Sequence, residues 1–207
     1  MQIIETVDQG SDEWHELRRG VVTASRFKDV MSKGRGAEPS KTRLSYMMEL
    51  AAEILTDEIN HLEPNKYMIW GTETEPRAKA NYEINNDVDV KEVTFIKHGS
   101  LNCGVSPDGL IGSDGGLEIK CPKTTTQLET YLSGKMPSQH KSQVQGCLWV
   151  SEREWWDFVS YDPRINAEAE YFQVRVYRDE DYIKSLEEGV KEFNEQLNEM
   201  INKLKGK

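Results

Sequence analysis

The residues of this 207-residue chain best suited to do chemistry are Asp108, in Val105-Ser106-Pro107-Asp108-Gly109, and Glu118 and Lys120, in Leu117-Glu118-Ile119-Lys120. Side chains at i and i+2 of a strand share a face, so Glu118 and Lys120 point the same way if this stretch is extended. A hairpin through Gly109, Gly112, Gly115 and Gly116 brings Asp108 beside them. Two carboxylates and the carbonyl of Ile119 are hard oxygen donors of the kind Mg²⁺ takes, and Lys120 would lie next to a metal-bound water. This is the Asp…Glu-x-Lys arrangement of metal-dependent phosphodiesterases. A lone Glu-x-Lys arises about once by chance in a chain of this length. The Pro-Asp-Gly turn upstream gives it weight, while an ordinary hairpin with a charged surface stays open on these residues alone.

A third carboxylate comes from the helix opening at Trp70-Gly71-Thr72-Glu73-Thr74-Glu75. Glu75 shares a face with Ala78 and Tyr82 at helical spacing, which turns Glu73 elsewhere. Acids in a first helical turn are also favoured by the macrodipole, so their presence alone is weak support. Gln143 and Gln145 could hold a water or a phosphate oxygen, although most glutamines are merely solvated. The histidines His15, His61, His98 and His140 show no ligand spacing. Cys103, Cys121 and Cys147 are odd in number and form no C-x-x-C pair, which excludes a disulfide framework or zinc ribbon and fits a reducing cytosol.

The elements that must hold these residues are legible in part. Ser11 caps a short helix that Gly20 ends, and a second short helix stops near Met31. Ser32 to Ser40 is a basic, glycine-punctuated loop. Apolar spacing predicts helices over about 41–56, 70–85 and 139–150 and a terminal helix beginning at Asp179. Runs at 90–96, 101–105, 117–121, 155–161 and 171–177 predict strands of one mixed sheet. The expected fold is α/β, a central mixed sheet flanked by helices, in a single domain over 1–207.

Lys and Arg number 26 against 36 Asp and Glu, a formal charge of −10, and 37% of the residues are hydrophobic. The acids are not spread evenly. Residues 44–65 hold five and no base, and residues 179–199 hold eight against two lysines, whereas 31–43 carries Lys33, Arg35, Lys41 and Arg43 against Glu38. An acidic total therefore does not exclude nucleic acid: acidic outer helices would repel it while a basic loop guides it inward. No apolar run reaches membrane-spanning length and no signal peptide is legible, so the expected location is the cytoplasm.

Taken in order, Asp12-Glu13-Trp14-His15-Glu16-Leu17-Arg18-Arg19-Gly20 running on to Ser25, Trp70-Gly71 with Glu75, Ser106-Pro107-Asp108-Gly109-Leu110, Gly116 to Pro122, Gln143-Val144-Gln145 and Tyr161-Asp162-Pro163-Arg164 form a series. The series resembles the viral alkaline exonuclease and YqaJ-like recombinase family. The resemblance runs from about Gln9 to the terminal helix. It implies a restriction-endonuclease-like, PD-(D/E)xK core and a Mg²⁺-dependent enzyme, with Mn²⁺ tolerated and two ions per active site. Such an enzyme digests the 5′ strand of double-stranded DNA ends processively, releases 5′-mononucleotides and leaves a 3′ tail. A homotrimeric ring and a single-strand annealing protein as partner are implied with it, in a phage or prophage setting.

Matched residue by residue, the resemblance makes Glu75, Asp108, Glu118 and the Ile119 carbonyl metal ligands. Lys120 activates the water, and Gln145 positions water or the scissile phosphate. Arg18, Ser25 and Ser106 hold a 5′-phosphate. Arg35 approaches the 5′ strand, and Lys66 and Met68 sit where the strands part, Met68 standing where the relative has leucine. The stretches after Pro122 and from Lys135 to Ser142 depart from the pattern. An endonuclease of the same fold, or a non-catalytic DNA-end binding module, are the alternative readings.

Overall fold

The computed structural model describes residues 1–34, 40–59 and 65–206. Its elements are β1 (Gln2–Ile4), α1 (Asp12–Arg18), β2 (Val22–Thr23), α2 (Phe27–Val30), α3 (Lys41–Thr56), α4 (Lys66–Asn86), β3 (Val90–Lys91), β4 (Phe95–Lys97), β5 (Cys103–Val105) and β6 (Gly109–Ile111), then β7 (Gly115–Lys120), α5 (Thr124–Ser133), α6 (Lys141–Ser151), β8 (Trp155–Tyr161), β9 (Tyr171–Tyr177) and α7 (Glu180–Leu204). The mixed α/β class is as expected. Among the described residues no helix is long and apolar enough to cross a membrane.

The strands do not form one sheet, as the sequence reading expected, but two. Four strands run in the order β1-β4-β5-β2 and five in the order β3-β6-β7-β8-β9. The division falls where the run 90–96 breaks. Thr94 turns its N–H to the Ile4 carbonyl and its hydroxyl to the Val7 carbonyl, drawing the chain from β3 into the other sheet. The chain crosses back between β5 and β6 at Pro107, which has no N–H to give a ladder. Gln9 ties the two crossings together, its Nε2 donating to Val93 O and Pro107 O, both at 3.0 Å. Asp108 therefore stands at the seam between the sheets.

Helices cover both faces of the five-stranded sheet. On one side α2, α3, α6 and α7 close over Leu110 and Trp156 with Phe27, Leu50, Leu148, Leu186 and Phe193 at their centre. On the other, α4 lays Ala78 and Tyr82 against Leu117, Ile119, Val159 and Tyr161. The Tyr82 hydroxyl donates to fully buried Asp157 at 2.7 Å, and Arg175 holds the same carboxylate through two bonds of 2.8 Å. That network fixes the azimuth of α4 and so of every side chain it carries. Gly116 in β7 is obligatory, because a Cβ there would lie 2.2 Å from the buried Trp156 ring. On α7 the residues Ile183, Leu186, Val190, Phe193, Leu197 and Ile201 are buried in one stripe, leaving its acids outward.

Candidate active site

Strand register assembles the centre. In the antiparallel pair of β6 and β7, Gly109 faces Leu117, so the next step back sets Asp108 opposite Glu118. Gly112 turns the hairpin at φ +52°. The pairing with β6 ends at Gly109 opposite Leu117, which frees the following backbone of β7: the Ile119 N–H donates to Asp108 Oδ2 at 2.6 Å. An extended residue presents its carbonyl to the same edge as its N–H, so the Ile119 carbonyl also faces the Asp108 side.

Glu118 is fully buried. Its Oε1 accepts from Gln143 Nε2 of α6 at 2.6 Å and from Lys120 Nζ. Its Oε2 is buried and, among the described residues, has no hydrogen-bond partner. An unsatisfied buried carboxylate oxygen is costly, and it marks a place where a cation would be accepted. Burial, together with the Glu118 charge, holds the Asp108 acid well above its ordinary range. Glu75, half-buried on α4, is raised by burial and by the Glu118 charge against the pull of Lys120. The Lys120 ammonium, desolvated yet faced by Glu118, Asp108 and Glu75, is held in its charged form. The four groups form one electrostatic cluster, three carboxyl groups around one ammonium.

These residues fit Mg²⁺. All the donors are oxygens, and this ion takes one or two carboxylates and keeps several waters rather than demanding a full protein cage. Among the described residues no three His, Cys, Asp or Glu side chains close into a ready-made ligand cluster. Asp108 is engaged by the Ile119 N–H and Glu118 by Lys120 and Gln143, which leaves Glu118 Oε2 as the outstanding donor.

Beside the centre a cavity of about 190 Å³ is lined by Trp14, Arg18, Ser25, Ser106, Asp108 and Gln143 among others. All three residues matched to a phosphate pocket meet here, although they come from α1, the turn before α2, and the crossing after β5. Arg18 stacks on the Trp14 ring, Cζ at 3.8 Å from its centroid, and Trp14 Nε1 donates to Ser106 Oγ at 3.2 Å. Among the described residues no carboxylate lies at ion-pair distance from the Arg18 guanidinium. Burial pulls its pKa down to about 10 against the opposing pull of Tyr46 and Glu53, so it stays charged at neutral pH. A larger cavity, about 360 Å³, reaches Asp108 and Glu75 from the other side of Gln9.

The structure departs from the sequence reading at Gln145. That side chain is buried, and its amide is consumed at the junction of β9 and α7: Nε2 donates to Tyr177 O and Oε1 accepts from Asp179 N, both at 2.9 Å. Residues two apart on a helix face nearly opposite ways, so when Gln145 serves the core, Gln143 is the glutamine that reaches Glu118. Lys66 and Met68 lie at the start of α4, Met68 being 52% exposed, apart from the carboxylates. Arg35 lies outside the described residues. Sequence reasoning missed the part of Trp14, whose i, i+4 spacing from Arg18 on α1 was its only signal. Trp14→Phe keeps the stacking ring and loses the N–H. If this pocket holds a 5′-phosphate, as the resemblance implies, the variant is expected to lower the preference for 5′-phosphorylated over 5′-hydroxyl duplex ends about fivefold, the worth of one hydrogen bond, measured as the ratio of digestion rates.

Comparison with known proteins gives the family and the fold. Residues 13–154 match the model of the YqaJ-like viral recombinase domain. The alkaline exonuclease LHK-Exo of Laribacter hongkongensis is 41% identical and superposes with a TM-score of 0.87, covering 94% of this chain and 96% of that one. The same enzyme in complex with dAMP gives 40% and 0.88 over the same shares. A phage-related exonuclease of Haemophilus somnus 129PT, 16% identical, shares the fold at a TM-score of 0.70, covering 92% of this chain and 99% of its own. With a family match over most of its length and an alkaline exonuclease superposing on nearly all of it, this chain belongs to the YqaJ-like viral recombinase family and is a nuclease of the alkaline exonuclease type.

Proposed function

We propose that the protein is a Mg²⁺-dependent 5′-to-3′ exonuclease of double-stranded DNA ends that releases 5′-mononucleotides and leaves a 3′ single-stranded tail. The observation that carries this reading is the cavity joining the partly buried, charged Arg18 to the carboxylate centre. A terminal phosphate on Arg18, Ser25 and Ser106 limits how far along the strand the next phosphodiester can lie, and Asp108 forms part of the same cavity wall. Holding the end in this way makes cleavage end-dependent and gives it polarity. LHK-Exo has been seen with dAMP, a mononucleotide, the class of product expected here.

Asp108 and Glu118, with the Ile119 carbonyl and Glu75, would hold Mg²⁺, two ions in the full site. When bound, the metal supplies a more acidic water and charge stabilisation for the phosphoryl oxygens. The protein's own part is positional. Gln143 and Lys120 fix the Glu118 carboxylate, and Asp108 is aimed by the Ile119 N–H. The Lys120 ammonium would orient the attacking water and offset charge developing on the phosphate. The Pro107-Asp108 and Glu118-Ile119-Lys120 segments supply the PD-(D/E)xK elements of a restriction-endonuclease-like core. Assembly as a homotrimeric ring around DNA, processive digestion and hand-over of the tail to a single-strand annealing protein complete the reading.

A closed circular duplex separates this activity from internal cutting. Linear duplex is expected to be degraded in Mg²⁺ while the covalently closed circle stays intact on a gel. Nicking or linearisation of the circle would replace the reading with an endonuclease.

A further inference from the structure

Gln9 and Asp108 each line both of the cavities that meet at the carboxylate centre, the pocket of Arg18, Ser25 and Ser106 on one side and the larger cavity with Glu75 on the other. The backbone around Gln9 is pinned. Ser11 directs its N–H to Asp8 O at 3.2 Å and its hydroxyl to the same oxygen at 2.7 Å, and Gly10 turns the chain at φ +85°, a conformation that favours glycine. From this turn the Gln9 amide nitrogen uses both its hydrogens, on Val93 O and on Pro107 O. Five residues on, Trp14 Nε1 donates to Ser106 Oγ. The start of α1 and the turn before it therefore grip both residues that precede Asp108. Arg18, stacked on Trp14, belongs to the same helix. The guanidinium of the pocket and the Asp108 carboxylate are thus parts of one hydrogen-bonded unit, although they lie far apart in the chain.

Which linkage of a strand is cut depends on the span between the group that holds its end and the group that cuts. One nucleotide is a step of at least about 3.4 Å along a strand, so slack of that order at Asp108 brings the second linkage into reach as well as the first. We propose that Gln9 is a positioning residue: together with Trp14 it clasps the Ser106-Pro107 crossing to α1, sets the span from the terminal phosphate to Asp108, and so confines cleavage to the first linkage and the product to mononucleotides. Gln9 acts through the Pro107 carbonyl and not on the substrate. This rests on the nuclease reading above and adds to it the residue that determines product length. Each of its two hydrogen bonds is worth about a fivefold change in an equilibrium, and a reacting group displaced by about 1 Å slows a reaction about a hundredfold, so a weakened clasp has a measurable effect.

The test uses the full chain, a linear duplex with radiolabelled 5′-phosphates, and Mg²⁺, with labelled products separated by size. The wild type is expected to release the label as mononucleotide. Gln9→Ala should raise the share released as dinucleotide about tenfold and lower kcat about tenfold, while KM for phosphorylated ends stays within about twofold because Arg18 is untouched. The ratio of the two products does not depend on how much of the protein is folded, so a loss of stability cannot imitate this result. Gln9→Glu keeps the length of the side chain, has no N–H to give at neutral pH, and adds a negative charge near Asp108 and Glu75. It should behave like Gln9→Ala and need more Mg²⁺ for half-maximal rate, whereas a residue acting by charge alone would need less. Mononucleotide as the sole labelled product of Gln9→Ala, at whatever rate, would overturn the proposal. A lower Mg²⁺ requirement in Gln9→Glu would overturn it too, by making the role of the residue electrostatic. Either result leaves the nuclease reading standing, whereas a wild type that releases no labelled nucleotide would overturn both.

Discussion

Glu118→Gln is expected to slow nucleotide release from linear duplex DNA by about a thousandfold or more while the protein still binds DNA ends. Glu118 is the most constrained group in the site: wholly buried, held at Oε1 by Gln143 and Lys120, and left at Oε2 with a donor-starved oxygen. The amide keeps the volume and can still accept from Gln143 and Lys120 through its carbonyl. What it removes is the anionic oxygen at the position where a cation is most favoured. Losing several kcal/mol of charge stabilisation corresponds to that scale of rate. Mutual repulsion among Glu118, Asp108 and Glu75 falls in the variant, which offsets the lost ion pair with Lys120, still faced by Asp108 and Glu75. Single-turnover digestion beside anisotropy with a labelled duplex measures the two effects separately. Loss of binding in parallel with activity would turn Glu118 into a structural residue, and near-normal digestion would remove it from the catalytic centre.

Arg18→Ala is expected to erase the preference for 5′-phosphorylated over 5′-hydroxyl ends, lowering the rate on phosphorylated ends about a hundredfold and changing that on hydroxyl ends little. The reasoning is electrostatic. A partly buried guanidinium with no carboxylate at ion-pair distance among the described residues has already met much of the cost of leaving water, so a phosphate arriving there recovers it through charge-assisted bonds. Binding of that anion should also return the Arg18 pKa upward from about 10. Arg18→Lys should restore only part of the preference, since an ammonium can neither fork around two phosphate oxygens nor stack flat on Trp14. An unchanged rate ratio in Arg18→Ala would take the end-phosphate away from this pocket.

Local patterns carried most of the sequence reading. Periodicity located α3 at Lys41–Thr56 and β9 at Tyr171–Tyr177, and the Asp179 cap marked the start of α7. The i, i+2 rule put Glu118 and Lys120 together, and the glycine hairpin delivered Asp108. The failures are non-local. The stretch 90–96 reads as one strand, yet hydrogen bonds from Thr94 to residues near the N-terminus divide it between two sheets. β1, only three residues long, gave too little pattern to register. α5 opens with three threonines, poor helix formers, and is held by tertiary contacts such as Gln127 Nε2 with the carbonyls of Ser160 and Ala169. The choice between Gln143 and Gln145 depends on how α6 is rotated against the sheet, which spacing alone does not fix.

The central claim is that an end-phosphate pocket feeds one metal-assisted carboxylate centre, and a single time course tests it. A linear duplex phosphorylated at both 5′ ends, with one strand carrying distinguishable labels in its first nucleotide and its last, is incubated with the protein in Mg²⁺ and, in parallel, in EDTA. The account predicts that the 5′ label leaves first, as a mononucleotide and only in Mg²⁺, while the 3′ label remains in long single strands. Early release of the 3′ label, labelled internal fragments, or equal release in EDTA would contradict it.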